Sequence, residues 1–241
     1  MKPVLFLSLA EVGYAAMGGA FSTGPVNSGN FIREAQSTLV VPATPNPIVG
    51  LLSLWVGMGT SAGDLIQALT ENYPNNGGTG VCDNLNDHWC ALTYTLKPSG
   101  DPATGALNVI NAGDRVTSHC WYIRALLSRS SINSNIDVYN DATGQYDQSV
   151  LVNGVVVSTV STTSGQAQGF GTAEECSVLP CGVVPSHQWL DTTIILDQAY
   201  PGYVDTKGIG SADATEFSSS DGGKTWHVDT ITIHEWNNTS L

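Results

Sequence analysis

The chain has 241 residues, enough for one large all-β domain, with 41% hydrophobic and 12% charged residues, about half the ~25% charged of an ordinary globular domain. Eight Lys and Arg against twenty-one Asp and Glu give a net charge of −13. Phosphate backbones and anionic surfaces are repelled by that charge, which excludes nucleic acid and membranes as expected partners. No apolar run approaches the ~18 residues that span a bilayer, and the hydrophobic content is too high for disorder. An acidic, Lys-poor, hydroxyl-rich chain suits an extracellular protein that works in acid, where neutralised carboxylates leave few cations to repel one another.

At the start, Val4 to Ala10 after Lys2 resembles a secretory leader, but Glu11 cuts the run short; a leader and a first strand both stay open. Residues 1–30 are therefore set apart from a β domain over 31–236, with a tail at 237–241. Leu51 to Val56 reads as an apolar strand, and Gly63 to Glu71 as two turns of helix. Leu92, Tyr94 and Leu96 alternate with Thr93, Thr95 and Lys97, the pattern of a half-buried strand. A second two-turn helix is expected over Trp121 to Arg129, then a strand over Ile136 to Tyr139 and a turn at Asp141 to Gly144. Ser149 to Val152 and Val155 to Val157 flank Asn153-Gly154, a two-residue hairpin whose turn positions both need φ > 0. Beyond the Asp221-Gly222-Gly223-Lys224 turn, Trp226 and Val228 share one parity and Ile231 and Ile233 the other, so a bulge is expected near Asp229. The sum is all-β: a single-domain antiparallel two-sheet β-sandwich, concanavalin-like in form.

Chemistry-bearing residues are few. Cys82/Cys90 and Cys176/Cys181 can close two short disulfide loops, leaving Cys120 as a buried free thiol; metal spacing such as paired C-x₂-C is absent. Gly59 to Gly63 matches the G-x-S-x-G nucleophile elbow around Ser61, but consecutive hairpins are the wrong context for it. The five histidines show no zinc-site spacing; His227 and Asp229 could share a strand face, as a solvated pair sooner than as ligands. Six tryptophans exceed what a core of this size needs, so some could line a sugar or peptide cleft. Asn237 to Ser240 holds two overlapping glycosylation sequons. Glu174 and Glu175 are adjacent acids; on a strand they point to opposite faces, so only one can enter a given cleft. A carboxyl in a partly apolar cleft has a raised pKa and can exchange protons in acid.

Several segments, in collinear order over about residues 35–235, resemble the glutamic peptidases of the eqolisin type. They are Ser37 to Pro42, Trp55 to Gly59, Leu65-Ile66-Gln67, Asn111 to Asp114, Asn140 to Gln145, Ala173-Glu174 with Pro180 at the family's spacing, and Val184-Pro185 followed by Thr192 to Leu196. The resemblance implies an acid endopeptidase in which Glu174 acts as general base and then acid, and Gln67 holds the water and stabilises the oxyanion. Trp55, Trp89 and Glu175 then fall on the substrate-binding wall. It further implies a polypeptide substrate, no metal or other cofactor, and a secreted monomer. The chain departs from the family pattern at Gly59, where an Asp is usual, at Glu175, where a Trp is usual, and over Trp89 to Pro98. A second alignment sets Gln188-Trp189 in place of the Glu-Trp pair. The other readings are a catalytically inactive sandwich that binds peptide or carbohydrate, and, more distantly, a serine hydrolase through Ser61.

Overall fold

The computed structural model describes residues 15–74, 81–82, 87–122 and 144–239, with the backbone alone for 121 and 122. The expectations for residues 1–14, for the rest of the second helix, for the strand over 136–139 and for most of the 141–144 turn lie outside these residues.

The strands in chain order begin with β1 (Ala16–Thr23), β2 (Ile32–Val40), β3 (Leu51–Thr60) and β4 (Leu65–Asn72). Next come β5 (Trp89–Leu96), the short β6 (Ala103–Thr104) and β7 (Asn108–Ile110), and β8 (Arg115–Tyr122). They continue with β9 (Gln145–Val152), β10 (Val155–Thr163), β11 (Ala167–Val178), β12 (Gly182–Val184) and β13 (His187–Leu196). β14 (Gly208–Gly210), β15 (Ala212–Ala214), β16 (Thr225–Ile233) and β17 (Trp236–Asn238) complete the described chain. Helix among the described residues is confined to a single 3-10 turn at Pro201–Thr206.

These strands make two antiparallel layers. The first runs β5-β4-β3-β11-β1-β14, with β6 and β7 against β5. The second runs β10-β9-β8-β2-β13-β16-β15. A single pair, Ala167 with Ile32, joins the layers at one corner, and the β12–β17 ribbon lies at one end. β1 begins at Ala16, well before residue 31, and Asn237 and Asn238 of the tail lie in the separate β12–β17 ribbon. Between the layers Leu54, Val56, Met58 and Ile66 pack in one core with Leu39, Val116, Val150 and Ile194, each side chain contributing about 1.5–3 kcal/mol by leaving water.

The hairpin at Asn153-Gly154 forms as its residues require, with φ of 50° and 83° and Val152 paired to Val155. The segment expected to be helical from Gly63 is instead β4, and Trp121 lies in β8. An eight-residue run with apolar and polar residues on both faces does not reveal its period. Here the tight Thr60–Asp64 turn, with Gly63 at φ 85°, returns the chain along β3. In β5 the parity that faces the second layer carries threonines beside Trp89 and Ala91. Thr93 and Thr95 point between the layers, where Ser158, Thr162 and Gln148 take up their hydroxyls, while Tyr94 and Leu96 face outward.

The phase slip in β16 is real, but its cause lies next door. β13 and β16 stay in register throughout, and β13 carries the extra residue against β2, between Leu190 and Thr193. Asp191, at φ 53°, absorbs it. Both disulfides form, Cys82–Cys90 and Cys176–Cys181, and Cys120 is free and buried. Alkylation of the unfolded, unreduced protein is therefore expected to label one cysteine by mass spectrometry; labelling of three would contradict these pairings.

Candidate functional site

Glu174 and Gln67 are not brought together. In the first layer residues directly across neighbouring strands share a face, and parity alternates along each strand. Glu174 lies opposite Leu54 and Thr70, in the parity of the core residues Val56 and Met58. Gln67 lies opposite Gly57 and Gly171, in the other parity. The two side chains leave the sheet in opposite directions.

Glu174 is wholly buried between the layers. Two consecutive glycines interrupt β1 there, at an irregularity between Met17 and Ala20. A Cβ on Gly18 would come within 2.4 Å of Glu174 Oε2 and 2.6 Å of the Trp236 ring. The bare backbone thus makes room for the carboxyl, and Gly19 N–H donates to Oε2 at 2.8 Å. His187 Nδ1 of β13 stands 3.7 Å from Oε1. Burial pushes the Glu174 carboxyl up to about 7, moderated by Gly19, and burial holds His187 down at about 4. Among the described residues, Glu174 Oε1 and His187 Nε2 both lack a hydrogen-bond partner, and Glu174 has no exposed surface.

Trp89, expected on the cleft wall, is a core residue: it is fully buried, and its indole N–H donates to Pro42 O at 3.0 Å. Trp89→Ala should accordingly lower stability by about 3–5 kcal/mol in denaturant titration. A loss below 1 kcal/mol would return Trp89 to a surface role. Ser61 sits exposed in the β3–β4 hairpin turn with no helix behind it, which removes the nucleophile elbow. His227 Nε2 pairs with Asp229 at 2.8 Å on the exterior, and no cluster of three possible metal ligands occurs among the described residues. Of the alternative pair, Trp189 is core and Gln188 is exposed.

The outward face of the first layer is where the remaining polar residues gather. One rung runs Gly171–Gly57–Gln67–Tyr94 across β11, β3, β4 and β5. The next, two residues along, runs Ala173–Trp55–Leu69–Leu92. The third runs Glu175–Ser53–Glu71–Cys90. Ser53, Gln67, Leu69, Leu92 and Ala173 are all buried although they face away from the core, so this face is recessed. Past the third rung, Tyr73 and the Cys82–Cys90 disulfide form a small apolar cluster with Leu51.

Glu175 and Glu71 thus flank one small residue, with Cα atoms about 9.5 Å apart across two strand spacings. Ser53 Oγ donates to Glu71 Oε1 at 3.1 Å, and Ser177 Oγ to Glu175 Oε1 at 3.4 Å. Burial raises both carboxyls, and the negative charge of Glu175 raises Glu71 further. The Trp55 indole lies close enough to steady the Glu175 anion without completing a hydrogen bond. Burial together with both glutamates raises the Tyr94 phenol, which keeps its proton. Burial thus disfavours the charged form of both carboxyls on this face, and of Glu71 further through its neighbour's charge. Of the residues named from sequence, Gln67, Trp55 and Glu175 share this face, whereas Glu174 and Trp89 do not. Glu71 was missed because its parity depends on β4 being a strand.

No family model matches the chain, and no curated protein does. Among solved structures the chain is similar to the crystal structure of scytalido-glutamic peptidase with a transition state analog inhibitor. The identity is 15%, the match covers 92% of this chain and 100% of that one, and the TM-score is 0.52. The likeness is one of fold: this chain is a single-domain antiparallel β-sandwich built like that glutamic peptidase.

Proposed function

We propose that the protein is an acid endopeptidase whose working groups are the carboxyl pair Glu71 and Glu175. The observation that supports this most is the third rung, where two acids with raised pKa flank Ser53 on a recessed face. Glu175 takes a proton from water as the water oxygen attacks the scissile carbonyl carbon, and its negative charge favours the protonated form of Glu71. Glu71, protonated, gives its proton to the departing nitrogen as the C–N bond breaks, leaving a carboxylic acid and an amine. Proton exchange with solvent then resets the pair. Tyr94, still carrying its proton, is a donor on the same face. The fold shared with a glutamic peptidase and the two disulfides, which suit an oxidising compartment, fit a secreted enzyme acting on polypeptides. The chain's own carboxyls supply the proton traffic this reading needs, without a cofactor.

The test is cleavage of a denatured protein over acidic to neutral pH, with peptide products identified by mass spectrometry. Cleavage in acid that fails as pH rises through neutrality is expected. Binding of peptides or glycans without any cleavage would favour the non-catalytic sandwich instead.

A further inference from the structure

Gln67, to which the carboxyl-pair reading gives no chemical step, has an unexplained feature. It is 7% exposed, and its Oε1 has no hydrogen-bond partner. An unsatisfied buried amide oxygen costs about 1–3 kcal/mol, a cost relieved when a ligand supplies the missing donor. Directly across from it the sheet is bare: Gly57 and Gly171 stand side by side on β3 and β11, with Gly59 and Gly169 paired two residues further on. Glycine inside a strand weakens it, and its use there marks close approach of another backbone or a ligand.

The two central glycines differ in what holds them. A Cβ on Gly57 would strike Ile66 O at 2.3 Å and Gln67 Cβ at 2.7 Å, so Gly57 is required by the packing of β3 on β4. A Cβ on Gly171 would meet nothing nearer than Phe21 O at 3.4 Å, and the far end of the Trp55 ring, Cη2, at 3.9 Å. Local packing allows a side chain at Gly171, yet the position is empty. The Trp55 ring overhangs it, and Leu69 lies on the next rung.

We propose that the Gln67–Gly57–Gly171 rung is a remote substrate subsite. It seats a large apolar side chain of an extended polypeptide on the Gly171 floor against Trp55, while the Gln67 amide bonds the polypeptide backbone. This rests on the peptidase reading of the carboxyl rung. An amide side chain both accepts and donates, which matches the one donor and one acceptor of each peptide unit. The subsite lies four residues along β11 from Glu175, about 13 Å. An extended substrate covers that distance in about four residues, so the side chain held is three or four positions from the bond cleaved.

The experiment uses short peptides identical except for Phe, Leu or Ala at that remote position, with Gly171→Leu and Gln67→Ala beside the wild type. Gly171→Leu is expected to lower kcat/KM for the Phe peptide by roughly 10–100-fold and to change the Ala peptide little. Gln67→Ala should raise KM for all three peptides with a smaller change in kcat, because its contact is made equally in substrate and transition state. Calorimetric binding of the same peptides to the Glu71→Gln/Glu175→Gln double variant, with and without Gly171→Leu, separates the two ideas. Phe-selective binding lost on Gly171→Leu, with no cleavage of any of these peptides by the wild type, upholds the subsite and ends the peptidase reading. Cleavage that is indifferent to Gly171→Leu, or weakened equally for all peptides, overturns the subsite while the peptidase stands. Binding of a β-linked oligosaccharide but of no peptide, abolished by Gly171→Leu, overturns the polypeptide assignment.

Discussion

Glu175→Gln is expected to lower acid proteolysis by about 10²–10⁴-fold, the range typical of a lost general acid or base, and Glu71→Gln by a comparable factor. Glu174→Gln should leave turnover in acid within a few-fold of the wild type, because its carboxyl lies on the opposite side of the sheet, among core residues. The pH profile carries the sharper signature. Turnover needs one carboxyl ionised and the other protonated, so it fails below the lower and above the upper of the pair's two apparent pKa values. Both carboxyls are raised by burial, and Glu71 additionally by the Glu175 charge. In Glu175→Gln that charge is gone, so whatever residual activity depends on protonated Glu71 should fade at lower pH than in the wild type. Rate–pH profiles of the three variants measure this. A Glu174→Gln protein as inactive as Glu175→Gln would show that the interior carboxyl reaches substrate, and the carboxyl rung would then be the wrong site.

The second large effect belongs to stability. The Glu174 carboxyl sits at about 7 in the fold, against an ordinary 4.5. The folded protein therefore binds this proton more tightly than the unfolded chain does. That contribution is complete below about pH 4.5 and is lost as pH rises through about 7, amounting to about 3 kcal/mol over the interval. His187 runs the other way: it falls from 6.5 to about 4, so its contribution is complete above about pH 6.5 and lost as pH falls through about 4. Between these limits the two slopes oppose each other, and the pair leaves wild-type stability nearly level. Glu174→Gln keeps an acceptor for Gly19 N–H but removes the titration. The melting temperature of the variant relative to wild type should then climb between pH 4 and pH 8, by roughly 6–12 °C for a domain of this size. Parallel melting curves across that range would mean that Glu174 is hydrated in the fold.

The family pattern at Ala173-Glu174 and Pro180 singled out one of two adjacent acids, and alternation shows what that choice entailed. A strand sends Glu174 and Glu175 to opposite faces whatever the surroundings, so one of them had to enter the core parity. Which one did was decided by the register of β11 on β3, where Glu174 meets Leu54 and Glu175 meets Ser53. That register is a property of two strands more than a hundred residues apart in the chain, and no local spacing contains it.

Other features were legible from the chain itself. The all-β class follows from period-two patterning and turn residues, which act locally. So does the Asn153-Gly154 hairpin, because only a few residue types tolerate positive φ at both turn positions. The cysteine pairs also close over short loops, and the adjacency of the Glu pair already implied that a cleft would receive one of them.

Tertiary structure alone decided the rest. Leu65 to Asn72 is a strand because the turn at Thr60–Asp64 returns it along β3 and β5 flanks its other edge, supplying hydrogen bonds that no isolated octapeptide has. With β4 a strand, Glu71 moves onto the face of Gln67 and opposite Glu175. Thr93 and Thr95 are interior because Ser158, Thr162 and Gln148 from the other layer satisfy their hydroxyls; without those partners, burying them would be costly. Residue type and spacing act over a few positions and so determined the class of fold. The face on which each acid works was settled by pairing and burial between distant segments, which exist only once the chain has closed.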